Sequence, residues 1–276
     1  MEHLENELIP PMTTVRSGIE EEVASDILCL TTQIVNICMI GEPRQNSNWL
    51  LVDAGMPHSA ELIIETAERR FGKNNPPNAI VLTHGHFDHI GAITELIEYW
   101  KVKVFAHEDE LPFLIGKANY PEGDTEVKGL VAKLSPLFPN HGVNLENHIQ
   151  ALPSNGSIPG MADWCWLHTP GHTPGHISLL REKDKTIIVG DAFTTVKQES
   201  LYHVIMQDTV VSGPPAYFTM DWNAAWDSVK KIEAFKPKIA VTGHGAPIEG
   251  DYLRKELSNL AQNFSKIAIP AHKQKQ

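Results

Sequence analysis

The stretch Thr83-His84-Gly85-His86-Phe87-Asp88-His89 gathers three imidazoles and one carboxylate into a few consecutive positions. Neutral imidazole and carboxylate are the donors that borderline divalent metals such as zinc select. The string follows an apolar strand-like run, so it reads as extended chain entering a turn. His84 and His86 project from alternate positions and can reach one metal. Asp88 and His89 lie where the chain turns and can reach a second. The chain has 14 His in 276 residues, so an isolated His-x-His pair carries little weight. The whole string after a strand is what points to a metal site.

Further donors stand at the ends of later strands. His172 sits in His168-Thr169-Pro170-Gly171-His172-Thr173-Pro174-Gly175-His176. Asp191 follows Thr186-Ile187-Ile188-Val189-Gly190, and His244 follows Ile239-Ala240-Val241-Thr242-Gly243. Asp53 closes Trp49-Leu50-Leu51-Val52 in the same way. Strand ends gathered at one edge of a sheet are where a site is assembled from distant sequence. His168 and His176 flank His172 at four-residue spacing, but Pro and Gly forbid a regular helix there, so that spacing does not put them on one face. His107 ends a strand and reads as structural. Tyr202, Tyr217 and Phe218 are candidates to line a pocket.

In chain order, Asp53, the His84–His89 string, His172, Asp191 and His244 are five motifs that together resemble the metallo-β-lactamase fold superfamily over roughly residues 25–250. The hydrolase branch with glyoxalase II-like thioesterases and lactonases is the most similar. The resemblance implies an α/β (α+β) fold, a four-layer αββα sandwich of two mixed β-sheets flanked by helices. It implies that His84, His86 and His172 bind a first ion, that Asp88, His89 and His244 bind a second, and that Asp191 bridges both. Zinc is the expected metal, with manganese, iron and cobalt compatible with the same donors. Such a pair lowers the pKa of water from 15.7 toward about 7. The implied activity is hydrolysis of a small ester, lactone or thioester by a metal-bridging hydroxide. Asp88 then has a catalytic role as well, positioning the nucleophile or passing a proton. Asp53 is expected behind the ligands, orienting them by hydrogen bonds.

Alternatives on the same metals are a phosphodiesterase or nuclease and a mononuclear iron oxidoreductase similar to persulfide dioxygenases. The intact His89 and His244 argue for two ions and against the latter. Neither a Gly-x-Ser-x-Gly nucleophile elbow nor a Gly-x-x-x-x-Gly-Lys phosphate loop occurs. True β-lactamases of several subclasses lack the carboxylate that stands here at Asp191, which argues against a dedicated antibiotic hydrolase.

Net charge bounds the partners. The formal value is −11, and two divalent cations would leave about −7. A nucleic-acid partner is therefore not expected, and a small-molecule substrate is. No apolar run approaches the ~20 residues that span a membrane. The acidic start, Met1-Glu2-His3-Leu4-Glu5, lacks the basic region of a signal peptide, so a cytoplasmic location is expected. Cys29, Cys38 and Cys165 lack CxxC spacing and each falls in an apolar strand-like segment, which predicts buried inert thiols. No pattern specifies an oligomeric state.

The elements that must position these residues follow from periodicity. Residues 1–24 read as an irregular polar arm, and 25–270 as a single domain. Strands are predicted at Asp26–Leu30, Ile34–Ile40, Trp49–Asp53, Ala79–Thr83 and Val102–Ala106. Helices are predicted from Ser59 to Phe71 and over Ile90–Trp100. A strand, ligand loop, helix and strand in succession match a parallel crossover. The second half gives strands at Trp164–Leu167, Ile177–Leu180, Thr186–Val189 and Lys238–Thr242. Asp221 caps a helix whose Trp222 and Trp226 read as core, and Leu253, Leu257, Leu260, Phe264 and Ile267 mark a final helix. Two long connections, 107–150 and 192–221, read as insertions that overhang the metal site.

Overall fold

A computed structural model describes residues 13–141 and 143–274. The first sheet runs β1 (Glu20–Ala24), β2 (Ile27–Thr32), β3 (Val35–Ile40), β4 (Leu50–Val52), β5 (Ile80–Val81), β6 (Val104–Ala106) and β7 (Ile149–Ala151), in that spatial order. Pairing is antiparallel from β1 to β4 and parallel from β4 to β7. The parallel half needs crossovers. Helix α1 (Ala60–Phe71) links β4 to β5, and α2 (Ile93–Trp100) links β5 to β6. The short helices α3 (Leu111–Leu114) and α4 (Leu130–Leu134) lie on the way to β7.

The second sheet contains β8 (Ser157–Ile158), β9 (Met161–His168), β10 (Ile177–Arg181), β11 (Thr186–Gly190), β12 (Ile239–Thr242) and β13 (Ile248–Glu249). Its order is β13-β12-β11-β10-β9-β8, with β11 and β12 parallel and the other pairs antiparallel. Helices α5 (Leu201–Met206), α6 (Trp222–Phe235) and α7 (Gly250–Ile267) complete this half.

Three apolar layers hold these elements together, and the period-2 alternation of the strands assigns residues to them. Leu28 and Leu30 face α1 and α2, meeting Ile63, Phe71, Ile93 and Trp100. Ile27 and Cys29 face the other way and join Trp164, Ile177, Leu179, Ile188 and Val241 between the two sheets. Ile187 and Val189 face α6 and α7, packing on Val229, Ile232, Leu257 and Phe264. Strands β2, β3, β4 and β11 are buried on both faces because both faces are covered. The result is two mixed sheets with helices outside, the four-layer sandwich.

Several expectations need correction. Residues 20–24 are an edge strand, where an irregular arm was expected; the remainder of that arm up to residue 12 lies outside the described residues. Helix α2 starts at Ile93, not Ile90, because His89 and Ile90 donate back to the His86 carbonyl (2.9 and 3.2 Å) and keep the ligand string in a turn. The connection 107–150 is not wholly an insertion, since its last residues enter β7. Cys29 and Cys38 are buried opposite one another, but Cys165 is exposed. Tyr202 is 61% exposed on α5. The Asp221 side chain does cap α6, accepting from Asn223 and Ala224 N–H (2.9 and 3.0 Å). No helix among the described residues is long and apolar enough to cross a membrane.

Phe264 is fully buried and stacks on Trp226 (ring centroids 5.9 Å apart). Phe264→Ala should lower stability by about 3–5 kcal/mol, read as a shifted denaturation midpoint. Bound metal should be unchanged, because the substitution lies in the outer layer of the second sheet.

Candidate metal centre

The candidate donors all issue from strand ends. Asp53 follows β4, the His84 string follows β5, His172 follows β9, Asp191 follows β11 and His244 follows β12. The folded chain brings them into three overlapping buried groups: His84, His86 and His172; His84, His89 and Asp191; Asp88, His89 and His244. Within each group the donor atoms lie within 4.8 Å of one another. Asp191 stands between the histidines. Its Oδ2 is 3.5 Å from His172 Nε2 and 3.3 Å from His244 Nε2, and its Oδ1 is 3.5 Å from His89 Nε2. Asp88 Oδ2 is 3.3 Å from His244 Nε2. Tetrahedral ligands on bonds of ~2.0–2.1 Å stand about 3.4 Å apart, so these separations suit a shared cation.

The residues fit a metal on a second count. His84 Nε2, His89 Nε2 and Asp191 Oδ1 are buried side-chain atoms without a hydrogen-bond partner. A buried polar atom left unpaired costs about 1–3 kcal/mol, and three aimed into one cluster call for a common partner. Their opposite edges are anchored. His84 Nδ1 meets Thr83 Oγ1 (3.1 Å), His89 Nδ1 meets Asp53 Oδ2 (2.8 Å), His172 Nδ1 meets Thr219 Oγ1 (3.3 Å) and His244 Nδ1 donates to the Ile34 carbonyl (2.9 Å). Such partners orient imidazole ligands and fix their tautomer.

Asp53 is itself held in place by the Thr83 N–H (2.7 Å) and hydroxyl (2.8 Å), so one carboxylate ties β4 to the ligand string. His176 is buried beside the group with both nitrogens engaged. Its Nδ1 meets Thr169, and its Nε2 accepts from the Asp191 N–H (2.8 Å), so it positions Asp191 rather than facing the cluster. His168 turns its Nε2 to the Pro174 carbonyl (2.8 Å). Gly243 leaves necessary room, since a Cβ there would overlap Asp191 Oδ1 and approach His89 Cε1 to 2.8 Å.

Electrostatics divide the site. Burial keeps His84 and His172 neutral well below the usual imidazole range and lowers His86 to about 4. Neutral imidazoles have the free lone pair that a metal needs. On the other side burial also opposes charge, but Asp191 and neighbouring carboxylates overcome it. They raise His89 well above its ordinary value and raise His244 to about 10. Burial works against the Asp191 carboxylate too, yet His244 and His89 pull it far down. The carboxylate side therefore demands positive charge, which a cation supplies as readily as protons do.

The family follows from comparison with known proteins. The model of the metallo-beta-lactamase superfamily matches residues 30–244. The chain belongs to that superfamily. It is 47% identical to the "Probable metallo-hydrolase YflN" of Bacillus subtilis (strain 168), over 93% of this chain and 98% of that protein. It is 29% identical to the "Hydroxyacylglutathione hydrolase GloC" of Haemophilus influenzae, over 60% of this chain and 70% of that one. Among solved structures, ST1585 from Sulfolobus tokodaii superposes with a TM-score of 0.56 at 22% identity, covering 93% of this chain and 88% of that chain. BJP-1, a subclass B3 metallo-beta-lactamase of Bradyrhizobium japonicum, gives 0.59 at 20% identity, covering 91% and 94%. Those two likenesses concern the fold.

In this superfamily member the sequence reading missed Glu110. Its carboxylate is fully buried and accepts four hydrogen bonds. Oε1 takes the Gly85 N–H (2.9 Å) and the Tyr120 hydroxyl; Oε2 takes the Thr173 hydroxyl (2.9 Å) and the Gly175 N–H (2.9 Å). One side chain thus clamps the His84–His86 loop to the His172 loop. Burial raises its pKa, and those four donors oppose the rise. Tyr120 also lays its ring against His86 (4.5 Å between centroids), with Phe218 on the same imidazole at 5.0 Å. Both long connections therefore reach the site, through Glu110 and Tyr120 in one and Phe218 and Thr219 in the other. The only sequence signal for Glu110 was a carboxylate just past a strand end, inside an acidic run that reads as solvated.

Glu110→Gln presents an amide N–H₂ to donors and must leave at least one buried N–H or hydroxyl unpaired. Metal affinity, measured by chelator competition, should fall about 10–100-fold. Tyr120→Phe, which removes one hydroxyl and leaves the carboxylate with its other three donors, should have a smaller effect. Unchanged affinity in Glu110→Gln would rule out the clamp.

Proposed function

We propose that the protein is a dinuclear metal-dependent hydrolase, most consistent with zinc, that cleaves a small ester, lactone or thioester. The observation that carries this reading is the position of Asp191, with one oxygen toward His89 and the other toward His172 and His244. His84, His86 and His172 would hold one ion, Asp88, His89 and His244 the other, and Asp191 both. A bound pair of divalent ions supplies water that is nucleophilic near neutral pH and a Lewis acid for a carbonyl oxygen. The names of the relatives, a metallo-hydrolase and a hydroxyacylglutathione hydrolase, support the hydrolytic class.

The chain's own residues supply orientation and proton handling. Asp88 and His86 are the most exposed of the seven donors, at 7% and 4%, so substrate approaches from their side. Asp88 is then placed to orient the attacking water and to receive its proton. Tyr120 and Phe218 form an aromatic wall beside His86 and exclude bulk water from the reacting group. The formal charge of −11 favours a small molecule over a phosphodiester polymer.

Metal analysis should return two ions per chain. A substrate panel of thioesters, lactones and bis-nitrophenyl phosphate should show turnover of the acyl compounds. His86→Ala should abolish that turnover and release much of the metal. Turnover confined to the phosphodiester, or a single iron per chain, would overturn the reading.

A further inference from the structure

The seven candidate donors are closed off from solvent. None is more than 7% exposed, so a substrate needs part of the surrounding wall to move. Residues 215–219 are placed to be that part. Phe218 packs on His86. The Thr219 hydroxyl donates to the Pro215 carbonyl (2.9 Å), and its oxygen meets His172 Nδ1 (3.3 Å). Behind this wall the protein is not solid. A cleft of about 480 Å³ opens between it and residues 268–274, the tail that follows α7, with Gly213, Ala216, Ile269 and His272 in its lining.

Asp124, in the first long connection, joins the two sides of that cleft. Its Oδ2 meets His272 Nε2 (2.8 Å) and Lys273 Nζ (3.4 Å) of the tail. Its Oδ1 accepts from the Glu126 N–H (3.0 Å), and its own N–H donates to the Tyr217 carbonyl (2.8 Å). Tail, first connection and wall therefore meet at one residue. Partial burial works against the carboxylate, yet His272 and the Glu126 N–H hold its pKa below the usual range, so it is ionised near neutral pH. Gly123 packs against the wall as well, since a Cβ there would stand 3.2 Å from Phe218 Cε1.

We propose that Asp124 is a positioning residue for substrate access: it straps the tail to the wall and sets how far residues 215–219 swing from His86 into the cleft. The inference rests on the hydrolase reading and names what limits the size of the acyl group. Asp124 and His272 are each 24% exposed and Lys273 is 37% exposed, so each ion pair is weak and screened by salt. That strength suits a strap that opens and recloses. A strong buried pair would hold the wall shut.

The test compares the wild type with Asp124→Asn and with the double variant His272→Ala/Lys273→Ala, all loaded with metal. Asn keeps the backbone N–H on Tyr217 and an acceptor for the Glu126 N–H, and loses the charge that holds the tail. Both variants should speed hydrogen exchange at the amides of residues 216–220 by about threefold to fivefold, the size that ion pairs of this exposure support. The rate at which a chelator strips the metal should rise with it, while metal content before chelation stays at the wild-type value. KM for a bulky acyl substrate should fall about threefold relative to a small one, with kcat on the small one unchanged. A purely structural role would lower the melting temperature and leave that ratio unmoved. Wild-type exchange in both variants, or faster exchange with unchanged chelator rate and KM ratio, would overturn the strap. A protein that turns over no acyl compound fails the hydrolase reading instead, and exchange and chelator rate still decide the strap.

Discussion

Everything in the buried centre turns on one carboxylate. Asp191 is almost wholly removed from water and faces His89, His172 and His244. An uncompensated buried charge costs several kcal/mol, so the fold must bring positive charge to it. The imidazoles alone answer the demand unevenly. His89 and His244 are pushed toward the charged form, while His84, His86 and His172 are held neutral. Cations between the two sets would satisfy both: they would take the neutral lone pairs as ligands and neutralise the carboxylates.

The scaffold exists to hold that arrangement still. Asp53 joins β4 to the ligand string and to His89. Glu110 joins the string to the His172 loop. Asn36 on β3 donates to the Thr242 and Gly245 carbonyls (2.9 and 2.6 Å) and so ties the first sheet to the His244 loop. Each tie bridges loops of distant sequence with a buried, fully engaged polar group, where hydrogen bonds gain strength from the low dielectric. The apolar layer between the sheets supplies rigidity beneath; these polar ties supply aim.

Much of this was legible beforehand. The seven side chains that converge were readable because each stands at or just beyond a strand end, where imidazole and carboxylate are candidate ligands. The sandwich was readable from family resemblance, whereas periodicity alone went only as far as several layers. Strands shorter than three residues, such as β8 and β13, carry too little alternation to be seen, and β1 is a polar edge whose acidic residues pair with Arg69 and Arg70 of α1. Glu110 escaped because its meaning lies in four donors from three other segments, which no local pattern encodes. Cys165 misled for a related reason: it lies in an apolar strand, but on a face of β9 that nothing covers.

The most direct measurement is anomalous diffraction from crystals of the metal-loaded protein, recorded on either side of the metal edge. The account predicts two peaks, one amid His84, His86 and His172 and one amid Asp88, His89 and His244, with an Asp191 oxygen bonded to each. A single peak, or Asp191 rotated away from both positions, would contradict it.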